Sequence, residues 1–265
     1  MPLAESDGFV IPKQAEQEAF SKIVTSLEAG DLVYSAELVK KNDYILIRYL
    51  DISDEQQASY LLREELPISR GWGLYVFREE VVNNIIVEAP HPLSDKQSDL
   101  IALDIYRDLN ARALLIAGTH RYANQDDVAD VAHAPDSIFQ SIHETLVQKT
   151  PIYTDVPVVL QIHGFAAKKH PGYPNIVLGF GRATSRAEIS FARELDKALA
   201  AQGIETGLCR GNSWQDLCGT KNVQGSGKND ALFIHIELDE TVRDDHRLLI
   251  SALMQVFAER KPSLP

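Results

Sequence analysis

Cysteine is nearly missing from this chain. Cys209 and Cys218 are the two in its 265 residues, and they flank the short polar run RGNSWQDL. Their spacing is not that of metal ligands, and neither has a base partner that would make it a nucleophile. They read equally as two thiols or as a disulfide closing that loop, and a disulfide would imply an oxidising compartment. Basic residues are also short: 26 Lys and Arg stand against 38 Asp and Glu, a net charge of -12. A nucleic-acid binder needs a basic face to neutralise phosphates, and none is visible, so that class is set aside. The acidity is spread along the chain and reads as solubility. No apolar run approaches the ~20 residues that would span a bilayer, so no membrane role is expected. The opening MPLAESDGFVIPKQ lacks a basic stretch followed by an apolar one and does not read as a signal peptide. Cytoplasmic residence is the default expectation, with secretion compatible if a signal has been removed.

Several catalytic signatures are absent as well. There is no GxSxG elbow for a serine hydrolase. His143 and Glu144 form an HE pair, but the second histidine of HExxH is missing, with Val147 three residues after Glu144. The glycines at 179 and 181, and at 225 and 227, do not open a helix after a strand, which a nucleotide-binding loop requires. No internal repeat or low-complexity stretch interrupts the chain.

What is present is an ordinary globular composition, 45% hydrophobic and 24% charged, long enough for one large domain or two small ones. Residues 1–80 differ from the rest. The spacing predicts a helix over Lys13–Leu27, a strand over Tyr44–Leu50 and a polar helical stretch in SDEQQASYLLREEL. This part is read as an N-terminal α+β extension packing on the main domain, residues 81–265. From residue 81, short apolar runs alternate with amphipathic stretches. Strands are expected at 85–89, 113–117, 156–162, 175–180, 204–209 and 231–238, and helices at 94–110 (capped by Ser94), 136–148, 185–202 and 240–259. The pattern predicts an α/β fold, a three-layer sandwich around a mostly parallel mixed sheet.

Ligands of such sheets bind beyond the carboxyl ends of the strands, so polar residues after the apolar runs are the ones to weigh. The strand ends deliver His91 with Asp95, Arg121 with Asn124, His163, and Glu237. Two imidazoles and a carboxylate, with water in a fourth position, make an open catalytic zinc site. His91 stands between two prolines and His163 precedes Gly164, features that suit a preorganised site and equally an ordinary strand exit. Asp95, four residues after His91, is the preferred third ligand; Asp99 competes. Glu237 is placed to move the proton in amide hydrolysis, or else begins a surface turn with Asp239 and Glu240. Arg121 and Asn124 are candidates for holding a substrate carboxylate, with surface pairing of Arg121 to Asp126 or Asp127 as the plain alternative. His143 is carried as a substrate-facing candidate against a core or surface position. His235 and His246 fit satisfied structural histidines, and the loop residues His120 and His133 have no better claim.

From about residue 82 these motifs, in series, resemble the N-formylglutamate amidohydrolase family within the wider zinc carboxypeptidase-like group. The resemblance is carried by Pro90-His91, the segment Arg121 to Asn124, His163-Gly164, the run Asn175 to Gly179, the loop containing Asn212, and Ile236-Glu237. It covers roughly two thirds of the chain. It implies zinc held by His91, His163 and an acidic residue, with Glu237 as the catalytic carboxylate and Arg121 and Asn124 near a substrate carboxylate. Two family patterns differ: Pro-His-Ser-Gly is here Pro-His-Pro-Leu, and Asp-X-Asn-Arg is not reproduced around Asn124. The expected substrate is therefore a class: an acylated amino acid, a short peptide, or a γ-glutamyl or cell-wall peptide. The leading expectation is a zinc-dependent amide hydrolase of a small, carboxylate-bearing molecule. The alternative is a non-catalytic amino-acid or peptide binder that keeps the fold.

Overall fold

A computed structural model of the chain describes residues 1–52, 57–81, 83–148, 155–182, 185–211, 213–226 and 231–260. Asn212 and Gly227 lie outside the described residues. Nine strands form one sheet: β1 (Tyr44–Asp51), β2 (Gln57–Glu64), β3 (Leu74–Arg78), β4 (Asn83–Ala89), β5 (Ala111–Ile116), β6 (Val158–Gly164), β7 (Ile176–Gly179), β8 (Thr206–Leu208) and β9 (Leu232–Leu238). Their order is β1-β2-β3-β5-β4-β6-β9-β7-β8. The central four, β5-β4-β6-β9, run parallel. At one flank β7 turns antiparallel to β9. At the other, β3 is antiparallel to β5 and leads into the meander of β2 and β1. The first 80 residues thus supply one end of the same sheet.

The helices are α1 (Gln14–Glu28), α2 (Leu32–Lys41), α3 (Ser98–Asp108), α4 (Ile138–Val147), α5 (Arg186–Ala200), α6 (Glu240–Asp244) and α7 (Arg247–Arg260). Two apolar layers separate them. On one face Ile85, Val87, Leu160, Ile162, Ile234 and Ile236 meet α3, α5 and α7. On the other, Ile86, Val159 and Phe233 meet α1 and α4. This is a three-layer α/β sandwich around a mixed sheet. Helix starts follow local chemistry: Ser137 accepts from the Gln140 amide at 3.0 Å, and Ser185 and Glu188 cap α5 reciprocally. Among the described residues no helix is long and apolar enough to cross a membrane.

Four expectations are corrected. The stretch read as a polar helix is β2 where it is described, since Tyr60 and Leu62 are buried and both edges pair in the sheet; strand pairing overrides the helical preference of Gln, Glu, Arg and Leu. β3, Leu74–Arg78, has no counterpart among the expected strands. The helix expected from Ser94 begins at Ser98, because a turn occupies the residues between: the amides of Ser94 and Asp95 both donate to His91 O, at 3.0 and 2.8 Å. The single closing helix is two, broken where Asp245 takes an extended backbone. Cys209 and Cys218 form a disulfide with their Cα atoms 5.7 Å apart, joining Cys218 to the residue that follows β8.

Candidate metal centre

The parallel register of β4, β6 and β9 builds the site. Glu88 is level with Gln161, Gln161 with His235, and His163 with Glu237. Side chains alternate across a strand, so these five polar residues continue the face that begins with Ile86, Val159 and Phe233. That face is apolar at the amino ends of the strands and polar at their carboxyl ends. His91 follows β4 directly. The turn after it brings Asp95 back to His91, with Oδ2 3.4 Å from Nδ1.

The result is a tight triangle. His91 Nδ1 and His163 Nδ1 are 3.2 Å apart. Asp95 Oδ2 is 3.2 Å from His163 Nδ1 and 3.4 Å from His91 Nδ1. All three residues are buried. Among the described residues this is the one group of three that could hold a metal ion; Asp99, in the first turn of α3, is not part of it. For a tetrahedral zinc with nitrogen and oxygen ligands at about 2.0–2.1 Å, ligand atoms are separated by about 3.3 Å, which is the spacing found.

Hydrogen bonds behind the histidines fix which nitrogen faces the triangle. His91 Nε2 lies 2.8 Å from Asp130 Oδ1, and His163 Nε2 lies 3.0 Å from Gln161 Oε1. Both partners are acceptors, so each Nε2 carries the proton and donates. Such outer partners set the tautomer and orientation of metal-ligating histidines. The two Nδ1 atoms then converge on a carboxylate oxygen, an arrangement that calls for a positive centre between them: a proton or a cation. Burial works against a charged His91, but the carboxylates of Asp130 and Asp95 outweigh it and raise its pKa. Burial, and then the neighbouring His235, lower His163 to about 4. Burial raises the carboxyls of Asp95 and Asp130, but hydrogen bonds and charge from the histidines, and for Asp130 also from Arg121, hold both well below the usual range. The donor set, its spacing and its outer partners fit a divalent cation of the zinc type.

Glu237 stands beside the triangle. His235 Nδ1 is 3.3 Å from the Asn222 amide nitrogen, which assigns the His235 proton to Nε2, 3.2 Å from Glu237 Oε1. The other oxygen, Glu237 Oε2, is buried with no hydrogen-bond partner. A buried carboxylate oxygen left without a partner is an exception that a catalytic role or a bound water would account for. His235 is clamped from below by Gly219, whose φ is +62° and whose absent Cβ would lie 2.7 Å from the ring. The cleft, of about 320 Å³, is lined by His91, His163, His235, Glu237, Arg121 and Lys221 among others.

The remaining expected site residues fall differently. Arg121 reaches the cleft, where its Nη2 lies 2.6 Å from Asp130 Oδ2 and its Nη1 3.4 Å from His91 Nδ1; neither Asp126 nor Asp127 is its partner in these contacts. Asn124 is corrected: it holds the Phe9 backbone, accepting from its amide at 2.9 Å and donating to its carbonyl at 3.0 Å, so its carboxamide clamps the N-terminal segment instead of facing the cleft. His143 is corrected too: it is buried against Glu88, 2.6 Å from Oε1, and does not line the cleft. Asp130, Gln161 and Asn222 have no place among the expected site residues, and His235, read as a satisfied structural histidine, has both ring nitrogens partnered and lines the cleft. For Gln161 and His235 a signal existed, since VVLQIHG and LFIHIEL each place two polar residues at alternate positions of an otherwise apolar strand.

No family model matches the chain, and no curated protein matches it either. Solved structures are similar at low identity. The gene product Atu2144 from Agrobacterium tumefaciens is 11% identical, with 68% of this chain and 89% of that chain covered, at a TM-score of 0.46. A metallo-carboxypeptidase from Burkholderia cenocepacia is 10% identical, over 95% of this chain and 70% of its own, at 0.42. A zinc-free structure described as YNDL-apo is 14% identical, over 86% and 96%, at 0.40. At these scores the likenesses say nothing about the chemistry, which rests on the residues themselves.

Proposed function

We propose that this chain is a zinc-dependent hydrolase of an amide or peptide bond in a small substrate bearing a carboxylate. The observation that carries this reading is the convergence of His91 Nδ1, His163 Nδ1 and Asp95 Oδ2 beside a cleft that His91, His163 and Glu237 line, with the buried Oε2 of Glu237 left without a hydrogen-bond partner. A binding-only protein has no need of that combination. His91, His163 and Asp95 would hold the ion, which when bound supplies Lewis acidity, polarising a carbonyl and bringing the pKa of water near 7.

The chain's own groups then have distinct tasks. Glu237 Oε2 accepts a proton from the attacking water and passes it to the leaving amine. His235 Nε2–H holds Oε1, so that Oε2 is the oxygen turned to the reaction. Asp130 keeps its proton partner on His91 and at the same time anchors Arg121. Arg121 and the exposed Lys221 give the cleft two cations, which select an anionic substrate such as an N-acyl amino acid or a short peptide with a free carboxylate. The test is a screen of zinc-loaded protein against N-acyl amino acids and short peptides. Hydrolysis of at least one carboxylate-bearing amide, lost in Glu237→Gln, is expected; no turnover of any member by protein with one zinc bound would overturn the reading.

A further inference from the structure

Behind His163 lies a chain of buried polar groups with no access to the cleft's contents. Gln161 and Glu88 are fully buried, and His143 nearly so. Gln161 Nε2 donates to Glu88 Oε2 at 2.9 Å and to Gln224 Oε1 at 3.2 Å. Its Oε1 accepts from His163 Nε2 at 3.0 Å and from Asn222 Nδ2. All four hydrogen-bonding positions of the carboxamide are thus filled.

A glutamine carboxamide can be turned end for end, exchanging its oxygen and nitrogen, unless its surroundings forbid it. Here two independent neighbours forbid it. Gln224 is itself oriented, because its Nε2 donates to Val131 O at 3.0 Å and to Gln140 Oε1 at 2.8 Å, so its Oε1 must face Gln161. Glu88 is held from behind by His143, whose Nδ1 is 2.6 Å from Oε1. Whether the proton of that pair rests on nitrogen or on Oε1, Oε2 remains an acceptor toward Gln161. Turning the carboxamide over would set its oxygen against two acceptors and its NH₂ against the Asn222 amide.

We infer that Gln161, fixed by the Glu88–His143 pair, is the positioning residue that holds His163 in its Nε2–H tautomer and so keeps Nδ1 bare for the metal. This deepens the metal-site reading above and rests on it for its consequence, but the tautomer itself is a property of the metal-free protein. His143, a substrate-facing candidate in the sequence, acts instead through Glu88 and Gln161, three hydrogen bonds from His163 Nε2.

The test uses the full chain with ¹⁵N-labelled histidine. In the metal-free protein the two ring-nitrogen shifts of His163 should report a single Nε2–H tautomer. Glu88→Gln keeps the volume but can offer an NH₂ to Gln161, and Gln161→Met removes the acceptor outright. Both should give a mixture of His163 tautomers, and zinc affinity, read by competition with a chromophoric chelator, should fall about 10–100-fold. Two variants are used so that a folding failure in one leaves the other to decide. An Nδ1–H tautomer in the unaltered protein, or a folded variant that keeps the single Nε2–H tautomer and unaltered zinc affinity, would overturn the inference. Tautomer mixing in the variants of a protein that binds no zinc would uphold the positioning role and defeat the metal reading, so the two failures are distinguishable.

Discussion

Asp130 serves two partners at once: its Oδ1 lies 2.8 Å from His91 Nε2 and its Oδ2 lies 2.6 Å from Arg121 Nη2. One buried carboxylate therefore sets the tautomer of a candidate metal ligand and the position of a cation in the cleft. The first prediction concerns this residue. Asp130→Asn keeps the shape but removes the charge, weakening both contacts. Zinc affinity should fall about 10–100-fold, measured by chelator competition, with Arg121 released from its anchor. Unchanged affinity would mean that Asp130 serves Arg121 alone.

The third ligand is tested by a pair of variants. Asp95→Ala removes the one carboxylate oxygen in the triangle and should abolish stoichiometric zinc binding at micromolar protein. Asp99→Ala should leave it within about twofold, since Asp99 is only partly exposed, lies outside the triangle, and a solvent-screened carboxylate contributes little to a neighbouring site. The reverse pattern would transfer the ligand role to Asp99.

Glu237→Gln separates metal binding from chemistry. The variant keeps an atom that can accept from His235 but loses the basic oxygen. On any amide the unaltered protein hydrolyses, kcat should drop about 10²–10⁴-fold, the range of a lost general acid–base group, while zinc content measured by atomic absorption stays at the parent value. A kcat within a few fold of the parent's would remove Glu237 from the reaction.

Acid should destabilise the metal-free protein through His163. Burial and the neighbouring His235 lower its folded pKa to about 4 from the ordinary 6.5, so between those values the unfolded chain takes up a proton that the folded protein refuses. Stability contributed by neutral His163 is present above pH 6.5 and is lost as pH falls toward 4, by an amount on the order of 3 kcal/mol. The raised His91 contributes at the other end, its stabilisation being lost as pH rises through its folded pKa. The lowered Asp95 and Asp130 lose theirs only as pH falls below their unfolded value. Denaturant midpoints of the parent and of His163→Gln, taken from pH 7 to 4, should converge as pH falls. Parallel curves would contradict the assignment.

Much of this architecture is legible in the sequence where burial and period act together. The runs that become β4, β5, β6 and β9 are apolar, β-branched and short, and their carboxyl ends had to lie together once the strands ran parallel. That is why His91, Asp95, His163 and Glu237 could be named before their distances were known. The rest depended on neighbours distant in sequence. The segment that forms β2 contains good helix formers and becomes a strand through its pairing with β1 and β3. Asp130 sits in a long irregular connection between β5 and α4, where no period points inward. Asn124 looked like a substrate contact from its nearness to Arg121, yet the two side chains part company, one to Phe9 and the other to Asp130. His143 shows the converse: its helix position announces burial, but only the fold reveals Glu88 opposite.

The central claim is that His91, Asp95 and His163 hold a metal ion. The most direct measurement is the zinc stoichiometry of purified protein, titrated after chelation and dialysis, in the parent and in His91→Ala and His163→Ala. One ion per chain is expected in the parent and none held stoichiometrically in either variant, with both variants shown to be folded by their circular dichroism. A parent that binds no divalent ion, or variants that bind it as the parent does, would contradict the account.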